Sequence, residues 1–257
     1  MKKTLFILAM GLLGVSGVQA SVTLVSGFSR FDQTSPGSGT AVSDLGTAAL
    51  SWTLNDATWN DDGTWTSNAT NAKKNGLDVS SLNLSGASGY TVNINFAKAT
   101  GLDNQDSIFC ASIGGTGNNS ILGRYETGNK IGIANDGSSG SRPTSALSNA
   151  INFTDPFSLT LSVQAGGSYN LFITQNGTTQ NIYWNGKTQA GLLNTLYIGC
   201  WGSLPGYQCS PTVSGLSFWE GAAPQDDLAA IITVPEPATA SLGLLGLGAL
   251  CLRRRRK

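Results

Sequence analysis

Apolar side chains recur at every second position in several short stretches of the chain. Tyr90, Val92, Ile94 and Phe96 alternate with Thr91, Asn93 and Asn95. A period of two is the pleat of a strand with one face buried, so the spacing predicts a strand over Tyr90–Ala97. Phe157, Leu159, Leu161 and Val163 repeat the pattern over Pro156–Gln164. Further strands are predicted at Ser21–Phe31, Leu50–Leu54, Asp106–Ile113, Ile121–Tyr125, Lys130–Ala134, Tyr169–Thr174, Thr179–Trp184, Leu196–Trp201 and Val213–Trp219. Between them stand turn residues: Asp61-Asp62-Gly63, Asn176-Gly177 and Asn185-Gly186 suit tight hairpins, because Asn, Asp and Gly tolerate positive φ.

Loops are expected at Gln33–Thr40, Gly114–Asn119 and Asn135–Pro143, rich in Gly, Ser and Asn, while Ala69–Asn75 reads as either a loop or one helical turn. The total is about 11 to 13 short strands with no convincing helix between them. That pattern predicts an all-β fold, a two-sheet jelly-roll sandwich. No internal repeat is evident, which argues against a solenoid or propeller.

The two ends break the pattern. Met1–Ala20 has Lys2 and Lys3, an apolar run from Leu5 to Val15, and Val18-Gln19-Ala20. This is the layout of a secretory signal peptide, cleaved after Ala20. At the other end, Val234-Pro235-Glu236-Pro237 precedes an uncharged run, Ala238–Leu252, and then Arg253, Arg254, Arg255, Arg256 and Lys257. Such a run is shorter than the ~20 residues of a comfortable bilayer span. It can still cross if the bilayer thins and the arginines snorkel. Clustered cations resist translocation, so the segment reads as a short transmembrane helix that stops transfer. The expected division is a signal peptide over 1–20, a sandwich over 21–233 and a tail over 234–257.

Charge sharpens the middle part. The whole chain carries 15 acidic and 15 basic residues; without the two ends, 14 acidic and 8 basic remain over residues 21–233, a net of −6. Nucleic acid is therefore an unsuitable partner. Gly, Ser, Thr and Asn dominate, giving a neutral, hydroxyl-rich surface. No histidine occurs anywhere, which excludes a Ser-His-Asp triad, a Cys-His pair and His-ligated metals. Between the ends the only glutamates are Glu126 and Glu220, and no Glu-x-Asp-x-Glu occurs. A glycosidase of that pattern needs two carboxylates flanking the scissile bond, so the expectation is that the chain is not an enzyme.

Cys200 and Cys209 flank the segment Trp201–Gln208, and in an oxidising compartment they are expected to close it as a disulfide. Cys110, in Ser107–Ala111, reads as a buried small hydrophobe. No metal site is expected. Asp103–Asp106 and Asp61-Asp62 offer oxygen ligands for calcium, but without a full ligand set.

The Pro-Glu-Pro, apolar helix, arginine-cluster arrangement of Pro235, Glu236, Pro237, Ala238–Leu252 and Arg253–Lys257 resembles the PEP-CTERM sorting signal. The resemblance implies transient membrane anchoring, cleavage by an exosortase-type protease, and delivery to the cell surface or extracellular matrix. A second resemblance covers roughly Tyr90–Trp219. Ile182-Tyr183-Trp184-Asn185-Gly186-Lys187, Leu196-Tyr197-Ile198-Gly199 and Gly215-Leu216-Ser217-Phe218-Trp219 are similar to strands of the concanavalin A-like jelly roll of laminin G-like and pentraxin-like domains. Fold alone implies no activity.

Aromatic rings stack on sugar faces while neighbouring polar groups bond the hydroxyls. Trp59 and Trp65 around Asp61 and Asp62, with Trp201 and Tyr207 in the Cys200–Cys209 segment, are the candidate glycan-binding residues. For Trp52, Trp184 and Trp219, which lie in strand patterns, a core role is expected. The leading reading is an exported, lectin-like surface protein that contacts polysaccharide. Its alternative is a structural or adhesive matrix protein with no glycan site, which requires Trp59, Trp65 and Trp201 all to be buried. A glycoside hydrolase on the same fold is the third.

Overall fold

The alternation seen in the sequence becomes a two-layer β-sandwich in the structure, a computed structural model that describes residues 22–31, 39–54, 57–68, 75–113, 120–135, 147–185, 191–202 and 207–233. The expected signal helix over 1–20, and the expected membrane helix and sorting residues over 234–257, lie outside the described residues. So do all or most of the loops expected at Gln33–Thr40, Gly114–Asn119 and Asn135–Pro143, of the loop or helical turn expected at Ala69–Asn75, and Gly186 of the second hairpin turn. Among the described residues no helix is long and apolar enough to cross a membrane.

The strands, in chain order, are β1 (Thr23–Phe28), β2 (Gly39–Val42), β3 (Leu45–Gly46), β4 (Ser51–Leu54), β5 (Ala57–Trp59), β6 (Trp65–Ser67), β7 (Gly76–Asp78) and β8 (Tyr90–Thr100). They continue as β9 (Ser107–Ile113), β10 (Ser120–Glu126), β11 (Lys130–Asn135), β12 (Phe157–Val163), β13 (Tyr169–Gln175), β14 (Thr178–Trp184), β15 (Leu193–Ile198) and β16 (Ser210–Glu220). The large sheet runs β14-β13-β12-β8-β16-β1-β3, and β6, which carries β5 on its other edge, also pairs with β16. The small sheet runs β11-β10-β9-β15-β7. A short β2–β4 ribbon stands apart from both. Every pairing between these strands is antiparallel.

The core lies between the sheets. The large sheet contributes Tyr90, Val92, Ile94, Phe96, Leu159, Leu161, Val163, Leu216 and Phe218; the small sheet contributes Phe109, Ala111, Ile113, Ile121, Ile131, Ile133, Leu196 and Ile198. At one end Phe28, Phe31, Trp52 and Trp65 form an aromatic cage. Trp52 and Trp65 meet edge-on at 5.0 Å between ring centres, and Phe31 meets Trp65 at 6.0 Å. Such edge-to-face pairs add to the apolar burial itself.

The outer face of the large sheet is also covered, so its polar side chains must satisfy one another. Thr160 Oγ1 and Ser158 Oγ both donate to Asn93 Oδ1, at 2.8 and 3.0 Å. Thr91 Oγ1 donates to the Gly221 carbonyl and accepts from the Ala223 amide, while Ser162 Oγ donates to the Ala223 carbonyl. The covering piece is the stretch after β16, ending in the short helix α1 (Leu228–Ile232). Ile231 packs with Val22, Trp219 and Ala223, and Asn95 Nδ2 donates to the Ile232 carbonyl at 3.1 Å.

That helix corrects the expectation of none. Five residues are too few to display a helical period, and their stability comes from packing rather than propensity. Asn176 and Gly177 meet their expectation, with φ of 50° and 74° at the β13–β14 turn. Both values are positive, as a type I′ hairpin requires.

Because Trp65 is fully buried among aromatic rings, Trp65→Ala is expected to destabilise the protein by about 3–5 kcal/mol. Urea denaturation of the two chains measures this, and a loss below about 1 kcal/mol would contradict the packing described.

Candidate functional site

A polar depression on the outer face of the large sheet is built where β6, β16 and β8 run side by side. Thr66 pairs with Thr212, and Thr212 with Lys98, so three consecutive strands place one row of side chains together. Strict alternation along β8 would send Lys98 to the core with Phe96. The ladder slips between Phe96 and Lys98, which face Val213 and Thr212 in succession. The extra residue, Ala97, is a β-bulge, and it reverses the alternation. Lys98 is thereby exposed and Ala99 is buried.

The rim is the β5–β6 turn, whose residues Asn60, Asp61, Asp62 and Thr64 line the depression together with Thr66, Ala97, Lys98 and Thr212, around a volume of about 510 Å³. Gly63 has φ of +82° and its amide donates to the Asn60 carbonyl at 3.1 Å. The turn therefore depends on a residue that tolerates the left-handed region. Asp62 Oδ1 accepts from the Thr64 hydroxyl at 2.7 Å and from the Thr64 amide at 3.0 Å. These bonds, the hydroxyl's first, hold its carboxyl below the ordinary 3.8. Asn60 Nδ2 donates to Thr64 Oγ1 at 2.8 Å, and Thr66 and Thr212 share a hydroxyl bond of 2.8 Å. The result is a fixed set of donors and acceptors around one ammonium group.

Of the candidate residues, only Asp61 and Asp62 line this depression. Trp59 is half-buried and packs against the core; it pairs across the ladder with Trp65, so both rings share the inner side of β5–β6. The expectation that Trp65 contacts sugar is corrected by its complete burial. Trp201 is likewise buried, at 6% exposure, against Cys110, Leu122 and Ala134 on the outer face of the small sheet. Tyr207, half-buried, meets it at 5.1 Å between ring centres. The loop tryptophans are thus packing groups. Their turn-like neighbours masked this in the sequence, since a tryptophan beside Asp and Gly reads as exposed.

The expected disulfide between Cys200 and Cys209 is not formed; both sulfurs are thiols. Cys200 faces Gln208 across an isolated bridge. Cys209 is the next residue and so points to the opposite face. It enters the main core, and its Sγ donates to the Ser107 carbonyl at 3.4 Å. Cys110 is buried as expected. Asp103–Asp106 closes on itself: the Asp103 amide donates to Asp106 Oδ2 at 2.6 Å, and burial raises the Asp106 carboxyl above its ordinary range. Among the described residues no group of His, Cys, Asp and Glu is placed to hold a metal.

Sequence reading missed Asn60, Thr66, Lys98 and Thr212. The predicted strands ended at Ala97 and began at Val213, one residue short of the row on each side. The bulge that turns Lys98 outward has no sequence signal of its own.

The architecture defines the chain as a β-sandwich of a kind also found in sialidases. It is similar to Trypanosoma rangeli sialidase in complex with sialic acid, with a TM-score of 0.55 and 12% identity, over 80% of this chain and 32% of that one. The same enzyme with 2,3-difluoro-KDN gives 0.52 and 11% over 77% and 30%. The Ruminococcus gnavus IT-sialidase CBM40 gives 0.44 and 16% over 62% and 92%. The chain thus spans about a third of the sialidase chains. No curated protein matches it in sequence. Residues 233–257 match the PEP-CTERM protein-sorting motif, which contains Pro235, Glu236, Pro237 and Arg253–Arg256 as the sequence suggested.

The expectation that the chain is not an enzyme is corrected by these structures. A sandwich of this kind is carried by sialidases, one of them recorded as a covalent intermediate with 2,3-difluorosialic acid. At this identity the likeness establishes the fold and nothing further.

Thr64→Val removes the hydroxyl that holds the Asp62 carboxylate. Since bonding to the charged form lowers a pKa, Asp62 in the parent chain is expected to titrate below 3.8, and to move up toward 3.8 in the variant. The stability this bond lends is present above the ordinary value and is lost as pH falls through the lowered one. NMR titration of the Asp62 carboxyl reads the difference; identical titration in both chains would contradict the turn geometry.

Proposed function

We propose that the chain is an exported surface or matrix protein whose sandwich contacts polysaccharide through the depression of Asn60, Asp61, Asp62, Thr66, Lys98 and Thr212. Export rests on the signal-like segment over 1–20 and the sorting motif over 233–257. On this reading the mature domain is residues 21–233. The tail beyond it anchors in the membrane transiently and is removed by an exosortase-type protease.

The observation that carries the binding reading is the three-strand row of Thr66, Thr212 and Lys98 beneath the Asn60–Asp62 turn. Its volume of about 510 Å³ lies within the range of small-ligand sites, roughly 300–1,000 Å³. Its lining is hydroxyl, amide, carboxylate and ammonium, with Ala97 as the single apolar side chain. A polyhydroxylated ligand matches such a lining through hydrogen bonds, without the ring stacking expected of Trp59 and Trp65. The concanavalin A-like, lectin-like character suggested by the sequence belongs to this reading.

One observation favours a second reading, a structural or adhesive matrix protein with no glycan site. Trp65 and Trp201 are buried, as that reading requires, although Trp59 is only half so. Retention of the full chain on immobilised polysaccharides separates the two. On the binding reading the parent chain is retained, and Lys98→Ala and Thr212→Ala each weaken retention about three- to tenfold, the worth of a hydrogen bond or two. No retention on any polysaccharide would favour the structural reading, and retention that these variants leave unaltered would remove the depression as the contact.

A further inference from the structure

The outer face of the small sheet holds a buried cation that the depression does not use. Gly123 is turned to the core, where a Cβ would come within 2.2 Å of the Phe109 ring. Arg124, the next residue of β10, therefore faces outward with Leu122 and Glu126. Its exposure is only 3%. Nη2 donates to Glu126 Oε1 at 2.6 Å. Nε and Nη1 are buried and have no acceptor among the described residues.

The ladder explains why the guanidinium is under-partnered. Across β10–β11, Glu126 faces Lys130, Arg124 faces Gly132, and Leu122 faces Ala134. One carboxylate thus stands between two cations, and the position opposite Arg124 has no side chain. A Cβ on Gly132 would meet Leu147 Cδ2 at 2.9 Å and Glu126 Cγ at 3.0 Å, so a side chain there would require both to shift. Further along the same face lie Cys110, Leu122, Ala134 and Trp201, with Tyr197 and Tyr207 packed against them. The indole nitrogen of Trp201 also lacks an acceptor among the described residues. Buried charges normally have their hydrogen bonds filled, and an arginine with donors left over suits a carboxylate ligand. The open side is at Glu126, whose side chain is 24% exposed.

We propose that Arg124 is an anion subsite that takes the carboxylate of an acidic sugar, with Lys130 adding charge and Glu126 as the internal carboxylate it competes with. It lies across the sandwich from the depression and is a second contact, which rests on the glycan reading and takes polysaccharides containing uronate-type units.

The full-length chain is tested for binding to polygalacturonate, its methyl ester, a neutral glucan and poly-glutamate. The subsite predicts at least tenfold tighter binding of polygalacturonate than of the ester or of poly-glutamate. It also predicts that Arg124→Lys, which keeps the charge but loses the fork, abolishes this preference. Glu126→Gln is partly exposed and independent of how Arg124→Lys folds; it is expected to tighten polygalacturonate binding about threefold or more. Equal binding of acid and ester overturns the subsite while leaving glycan contact in place. Equal binding of poly-glutamate overturns its restriction to sugars. A preference that persists in Arg124→Lys, or is unmoved by Glu126→Gln, overturns its assignment to Arg124. Absence of binding to every polysaccharide overturns the glycan reading as well.

Discussion

Both faces of the large sheet are buried along β12 and along the stretches of β8 and β16 around Thr91–Ile94 and Leu216–Trp219, and the rest of the structure is arranged around that constraint. The inner face meets it with apolar side chains. The outer face meets it with a ladder of Asn93, Asn95, Ser158 and Thr160, in which Ser158 bonds both asparagines. Buried polar groups left unmade would each cost about 1–3 kcal/mol, so the ladder and its cover are interdependent. The cover is the stretch from Gly221 to Ile232. It supplies backbone carbonyls to Thr91, Ser162 and Asn95, and apolar side chains to Trp219 and Val22. The sorting motif begins at residue 233, directly after this cover. The last described residue, Thr233, thus follows directly on the cover of the outer face of the large sheet.

That face also carries the depression, and the same irregularities serve both ends. Register shifts in β8–β16 around Val213 release the strands from strict alternation. On one side of the shift, Asn95 reaches the Ile232 carbonyl. On the other, Lys98 joins Thr66 and Thr212 at the surface. A regular ladder would have buried the lysine or lost the row. Bulges commonly re-aim side chains, and here one extra residue separates the covered part of the face from the part that forms the depression.

The fold was legible because alternation is a direct imprint of burial. Tyr90–Ala97 and Pro156–Gln164 became β8 and β12 with their inward residues as expected, and Asn176-Gly177 became the expected turn. Less was legible of the site. Asp61 and Asp62 were found because turn residues declare themselves, whereas Lys98 and Thr212 depend on a bulge between strands that are distant in sequence. Trp65 and Trp201 misled for a related reason. Local neighbours such as Gly63 or Gly202 report chain reversal, but whether a ring then turns inward depends on Phe31 and Trp52, or on Cys110 and Leu122, which only the fold brings near. The Cys200–Cys209 expectation failed on parity, since Cys200 faces Gln208 and not its neighbour.

The central claim is that this exported sandwich meets polysaccharide on the outer face of its large sheet. Amide hydrogen exchange of the full chain, with and without a bound polysaccharide, maps the contact directly. The account predicts added protection at residues 60–64, 66, 97–98 and 212, with the aromatic cage of Phe31, Trp52 and Trp65 unchanged. Protection confined to other surfaces, or none at saturating polysaccharide, would contradict it.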